Sequence, residues 1–127
     1  MPPQASKLII VGCLFAFSAV GLGAFGAHFL KSRLSPEDLE IFQTGVNYQF
    51  YHALALLAFG LLAEHRPRLK PWPGYAFIFG IVVFSGSLYL LVLTQIRILG
   101  AITPIGGVAF LVGWIGFALE ARSKKIL

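Results

Sequence analysis

Aspartate, glutamate, lysine and arginine are absent from four long stretches of the chain, residues 8–30, 41–63, 71–96 and 98–119. Within them Leu, Ile, Val, Phe, Ala and Gly dominate, and the charged residues are confined to the segments between and to the two ends of the chain. About 20 consecutive apolar residues cross the hydrocarbon core of a bilayer. Backbone N–H and C=O groups find no water there, so an isolated crossing segment must satisfy them internally, as a helix does. The pattern therefore predicts four transmembrane helices, over 7–30, 36–63, 73–95 and 98–120, in a single domain covering 1–127. The expected fold is an all-α, integral membrane four-helix bundle.

The boundaries carry their own signals. Ser35-Pro36-Glu37-Asp38 supplies an N-cap serine, a proline at the first helical position and acids in the first turn. Pro71-Trp72-Pro73-Gly74 breaks the chain before the third helix, with Trp72 suited to the membrane interface. Between the third and fourth helices only the residues around Gln95 to Ile98 are free to turn. Thr103-Pro104 has two readings: it starts the fourth helix, or that helix starts earlier and bends at the proline.

Composition narrows the class. Hydrophobic residues make up 57% of the chain and charged residues 12%, against about a quarter charged in an ordinary soluble domain. That disfavours a soluble enzyme, a disordered chain and a nucleic-acid binder. The net charge of +5 is unevenly placed. Lys7, Arg66, Arg68, Lys70, Arg122, Lys124 and Lys125 fall on the side that carries both termini. Lys31, Arg33 and Arg97 fall on the other, beside Glu37, Asp38 and Glu40. The positive-inside rule then places both termini in the cytoplasm. The single Cys13 excludes an internal disulfide and a cysteine metal cage, and is expected to act as a small packed side chain.

Polar residues inside a span are costly and often functional. At a rise of about 1.5 Å per residue, His52 lies near the midplane, Tyr48 and Gln49 one turn further out, and Ser85 and Ser87 near the middle of the third helix. Tyr89 and Thr103 lie in the outer half, with His28 and Arg97 at its rim. The inner halves are almost purely apolar. Gly45, Tyr48, Gln49 and His52 share one stripe of the second helix, Ser85 and Tyr89 share a face of the third, and Ser87 and Thr94 share another. All of these faces are expected to point into the bundle. His28, Tyr48, Gln49, His52, Ser85, Ser87, Tyr89, Arg97 and Thr103 form the candidate polar cluster. It reads either as hydrogen bonding between helices or as an outward-opening site. Small residues repeat at four-residue spacing in the first helix (Ala19, Gly23, Ala27), and Gly106, Gly107, Gly113 and Gly116 punctuate the fourth, as close helix packing requires.

Familiar chemistries fit poorly. His28 and His52 differ in depth by roughly half a membrane, which disfavours a bis-histidine haem. His28, His52 and His65 cannot converge on zinc, which needs at least three protein ligands. No acid lies within a charge-free span to couple protons to transport, or to orient His52 beside Ser85 or Ser87 as in a hydrolase. No catalytic residues, metal or cofactor are expected.

Five strings occur in order along the chain: Gly23-Ala24-Phe25-Gly26-Ala27-His28; Tyr48-Gln49 with His52-Ala53-Leu54-Ala55-Leu56; Ser85-Gly86-Ser87-Leu88-Tyr89; Leu99-Gly100-Ala101-Ile102-Thr103-Pro104-Ile105-Gly106-Gly107; and Gly113-Trp114. Together they resemble the YgdD-like family of small, four-span, uncharacterised bacterial inner-membrane proteins, which has a mitochondrial relative. One departure is Gln95, which stands where the family pattern leads one to expect a glycine after Thr94. The resemblance implies a location in the bacterial inner membrane and no established reaction. The expected function is a non-enzymatic protein supporting the membrane or a membrane complex, on the strength of its small-residue ridges and absence of buried charge. The alternative is a small-solute or lipid binding or transport unit built on the outer polar cluster. Expected partners are membrane lipids and a second copy or another membrane protein, with no nucleic acid.

Overall fold

A computed structural model of the chain describes residues 3–122. Four helices are long and apolar enough to cross a membrane: α1 (Pro3–Leu30), α2 (Pro36–His65), α3 (Trp72–Thr94) and α4 (Arg97–Arg122). The expected basic tail at Lys124 and Lys125 lies outside the described residues.

Local chemistry explains the ends. The Ser35 hydroxyl accepts the backbone N–H of Asp38 at 3.1 Å, Pro36 occupies the first turn, and Glu37 and Asp38 complement the positive end of the helix. At the far end of α3, Gln95 takes the left-handed conformation, φ 62° and ψ 19°, and its N–H closes on the Leu91 carbonyl at 2.8 Å. A residue in that position normally is glycine. α4 opens with one 3₁₀ turn, Arg97–Ala101, and becomes α-helical from Thr103 to Arg122. Of the two readings of Thr103-Pro104, the α-helix starts at Thr103, and Pro104 sits in the first turn, where its missing N–H goes unneeded.

α2 and α3 form the centre of the bundle, with α1 packed on α2 and α4 packed on α3. Half of the most apolar window of α2 is buried, against 17% in α1 and in α4. The outward faces of these two flanking helices carry Phe17, Phe25, Leu111 and Ile115, as a lipid-facing surface requires.

The bundle has a terminal half, which carries both chain ends, and a distal half, which carries the 31–35 and 95–97 connections. Leu8, Leu56, Phe59, Phe77, Ile81 and Phe110 centre one apolar cluster, extending from the terminal half to the midplane. Phe42, Val46, Leu91 and Val92 form a second in the distal half. Two π-helical turns interrupt the regular winding, Leu22–Gly26 in α1 and Ile81–Ser85 in α3. Both lie against the Phe42–Val46 turn of α2. A Cβ on Gly26 would stand 3.2 Å from the Phe42 ring, and Ser85 bonds the carbonyl of Gly45. At Gly106 a Cβ would fall 2.4 Å from the Phe84 backbone nitrogen, so α4 reaches the α3 π-turn only because that residue lacks a side chain.

Candidate functional site: a polar seam between the helices

α2 supplies the centre of the seam. Gln49 is buried, and every polar atom of its amide is engaged. Its Nε2 donates to the Ser18 hydroxyl at 2.8 Å and to the Phe15 carbonyl at 2.9 Å, both on α1. Its Oε1 accepts the Tyr89 hydroxyl of α3 at 2.7 Å. One amide thus ties three helices.

His52 lies one turn deeper and joins α2 to α4. Its Nδ1 is 2.8 Å from the Tyr48 carbonyl, which can only accept, so Nδ1 carries the proton. The indole N–H of Trp114 donates to Nε2 at 3.0 Å, so Nε2 carries none. The imidazole is therefore neutral with both nitrogens engaged. Its ring stacks on Phe110, with centroids 3.6 Å apart and planes inclined by 9°.

α3 uses two faces because it has a neighbour on each side. The Ser85 hydroxyl donates to the Gly45 carbonyl of α2 at 2.6 Å. Ser87, on the opposite side, bonds Thr103 of α4 and donates to the Phe84 carbonyl. No buried side-chain nitrogen or oxygen among the described residues lacks a hydrogen-bond partner.

The sequence-derived cluster is divided by the structure. Gln49 and Tyr89 meet directly, as do Ser87 and Thr103, while His52 and Ser85 each bond elsewhere. Tyr48 lies at the edge of its stripe, 39% exposed, packing its ring 4.7 Å from that of Phe84. His28 is exposed on α1 and makes no hydrogen bond among the described residues, so the seam excludes it. Thr94, expected to face inward, is exposed at the end of α3, where its hydroxyl donates to the Leu90 carbonyl. In that same turn Leu91 and Val92 take the buried side.

Arg97 belongs to a separate network at the distal rim. Its guanidinium grips Asp38 with two hydrogen bonds, 2.8 Å to Oδ1 and 3.2 Å to Oδ2, and donates to the Gln95 Oε1 at 2.7 Å. Gln95 Nε2 donates to Asp38 Oδ2 at 2.9 Å. Asp38 is only 5% exposed, which corrects the expectation that the fold buries no charge. The charge is tolerable because three donors meet the carboxylate. Gln95 explains its own departure from glycine: the left-handed backbone aims its amide at both charged partners.

Three contributors escaped the sequence reading. Ser18 hides among the small residues of α1. Asp38 reads as an interfacial acid. Trp114 carried a usable signal, since an indole N–H inside an apolar span needs an acceptor, and His52 lies at a matching depth. Gln43 and Asn47 form a further side-chain pair along α2 at 3.0 Å.

Chemically, the seam holds no free base or nucleophile. Nε2 of His52 is occupied by Trp114, and the hydroxyls of Ser85 and Ser87 bond to groups other than His52. Among the described residues no three His, Cys, Asp or Glu side chains cluster to hold a metal ion. A groove of about 490 Å³ runs beside α3 and the start of α4, lined mostly by aliphatic side chains with Ser87 and Tyr89 at its wall.

Residues 22–107 match the model of a family described as a protein of unknown function, DUF423, over more than half of the chain. The chain belongs to this family. The YgdD-like resemblance is consistent with it. The match takes in both π-turns and most of the seam, with Ser18 and Trp114 outside it. The chain is 55% identical over 107 residues to a UPF0382 membrane protein of Staphylococcus saprophyticus, covering 84% of this chain and 89% of that relative. It is 49% identical over 115 residues to the UPF0382 membrane protein YwdK of Bacillus subtilis, covering 89% and 94%. No solved structure matches. The protein is thus an all-helical membrane protein of an uncharacterised family.

Proposed function

We propose that the protein is a non-enzymatic structural unit of the bacterial inner membrane, with both termini in the cytoplasm, supporting the bilayer or a membrane complex. One observation carries this reading. The buried polar side-chain atoms of the seam are all hydrogen-bonded, and Gln49, His52, Ser85 and Ser87 each bond a neighbouring helix. Such a seam fixes helix register in lipid, where apolar contacts between helices compete with equally apolar tails. The lysine and arginine bias supports the orientation, and fusion of a cytoplasm-active reporter to the C-terminus checks it, with activity expected.

The test of the structural reading is His52→Leu. It removes the α2–α4 hydrogen bond and strands the Trp114 N–H. Thermal unfolding in mild detergent is expected to fall by several degrees, with a matching drop in the protein's level in the membrane. An unchanged unfolding temperature overturns the reading.

The groove beside Ser87 and Tyr89 supports a second reading, a binding unit for a lipid or small uncharged solute. Both hydroxyls already donate to protein acceptors, so such a ligand would have to offer them a donor or displace a protein bond. Native mass spectrometry from mild detergent separates the two: a retained small molecule lost in Tyr89→Phe favours binding, a bare protein favours the structural unit.

A further inference from the structure

The terminal half carries a second groove, remote from the seam. It lies between the first turns of α1 and α3, has a volume of about 270 Å³, and is lined by Lys7, Leu8, Ile10, Val11, Tyr75 and Ile78. The two helices start at the same end of the bundle, so the groove opens at the level where the chain leaves the membrane. Its wall is apolar, Lys7 borders it as an exposed residue, and the Tyr75 hydroxyl is tied to Gln4 in the first turn of α1, at the chain-end side.

The mouth is equipped for an anion. Among the described residues Lys7 has no carboxylate partner. The Tyr75 hydroxyl accepts a hydrogen bond from the Gln4 amide at 3.0 Å, which leaves its own O–H free to donate. On the α4 side of the same end, the Glu120 carboxylate is held by the backbone N–H of Lys70 at 3.0 Å and is not offered to Lys7. A cation and an adjacent donor above an apolar trough reproduce the sequence of groups along a phospholipid: phosphate, glycerol, acyl chain.

We propose that this groove holds one acyl chain of an anionic phospholipid, with the phosphate on Lys7 and the Tyr75 hydroxyl. Charge complementarity selects the headgroup: an anionic lipid brings a phosphodiester without a compensating ammonium, and Lys7 supplies the missing charge. Attraction of an anionic headgroup to one lysine near the surface corresponds to about a fivefold gain in binding. The assignment depends neither on which face of the membrane holds the termini nor on the role of the seam.

The experiment is native mass spectrometry of the full chain in mild detergent with phosphatidylglycerol or phosphatidylcholine of identical acyl chains. Phosphatidylglycerol is expected to be retained about fivefold more strongly. Lys7→Gln should reduce it to the phosphatidylcholine level, while Lys31→Gln at the opposite end should leave it unchanged. Ile10→Trp, which fills the groove from an exposed position, should weaken both lipids. An excess of inorganic phosphate should leave the lipid bound, because the groove contributes the chain contact. Lys7 and Ile10 are exposed, so both variants should unfold at the wild-type temperature. Equal retention of the two lipids, wild-type binding by Lys7→Gln or by Ile10→Trp, or displacement by phosphate overturns the proposal.

Discussion

In the distal half and at the midplane, helices meet through side-chain hydrogen bonds: Gln49 to Ser18 and Tyr89, Ser87 to Thr103, Trp114 to His52. In the terminal half the same helices meet mainly through missing side chains, as α3 and α4 also do at Gly106. A Cβ on Gly60 of α2 would fall 2.7 Å from Ile9 of α1, one on Gly113 of α4 would fall 2.8 Å from the Phe77 ring of α3, and one on Gly116 would fall 2.4 Å from the Trp72 ring. The two solutions divide the labour of folding in lipid. Glycine allows backbones to approach and gain dispersion contacts, but a smooth ridge slides. A hydrogen bond contributes little energy, about 0.6 kcal/mol on average between membrane helices, but it is met at only one register. The terminal half relies on contact, and the distal half adds alignment to it.

The largest expected effect tests contact. Gly116→Leu must displace the Trp72 ring and Pro73, and should cost about 3 kcal/mol of stability, seen as loss of the folded fraction in detergent unfolding. If it is tolerated, the terminal half is looser than the glycine contacts imply. Gln49→Leu comes next. It leaves the Tyr89 hydroxyl without its acceptor and cuts α2 from Ser18 and the Phe15 carbonyl, and should cost about 2 kcal/mol, with altered α1–α2 cross-linking between engineered cysteines as the sign of lost register. Gln95 allows a sharper test at the distal rim. Gln95→Ala removes the amide while keeping the left-handed strain, and should cost about 1–2 kcal/mol. Gln95→Gly relieves the strain and should recover about 1 kcal/mol of that loss. Equal unfolding midpoints for the two variants would mean that the backbone conformation carries no cost. The smallest effect is Ser18→Ala, about 0.6 kcal/mol, because Gln49 keeps its second acceptor, the Phe15 carbonyl.

The four spans were legible in the sequence because a bilayer imposes one rule on every residue: charge-free runs of sufficient length must become helices. The polar positions could be placed by depth for the same reason. Their partners could not. Depth and helical angle bring Gln49 and Tyr89 to one level, but whether they meet depends on which helices are neighbours. That order is set by packing at glycines. The π-turns broke the angular argument further, since each displaces the face that follows it. His28 illustrates the cost: a polar residue at the rim of α1 groups with the cluster by sequence and is exposed apart from it. Gln95 marks the opposite case, a position whose residue type conflicted with its turn and whose side chain resolved the conflict through Asp38 and Arg97.

A ring closed from residue i to i+5 holds one residue more than the ordinary helical ring. Leu22–Gly26 therefore stores a spare position inside an otherwise unbroken helix. Removing one residue there would let the backbone close as a regular helix without a gap. Because the wider turn spreads about one ordinary helical turn over the extra residue, everything beyond it, including Lys31 and the link to α2, would keep nearly its present direction and height. Length variation in α1 thus has a place where it preserves both the hydrogen-bonded backbone and the way the distal end faces.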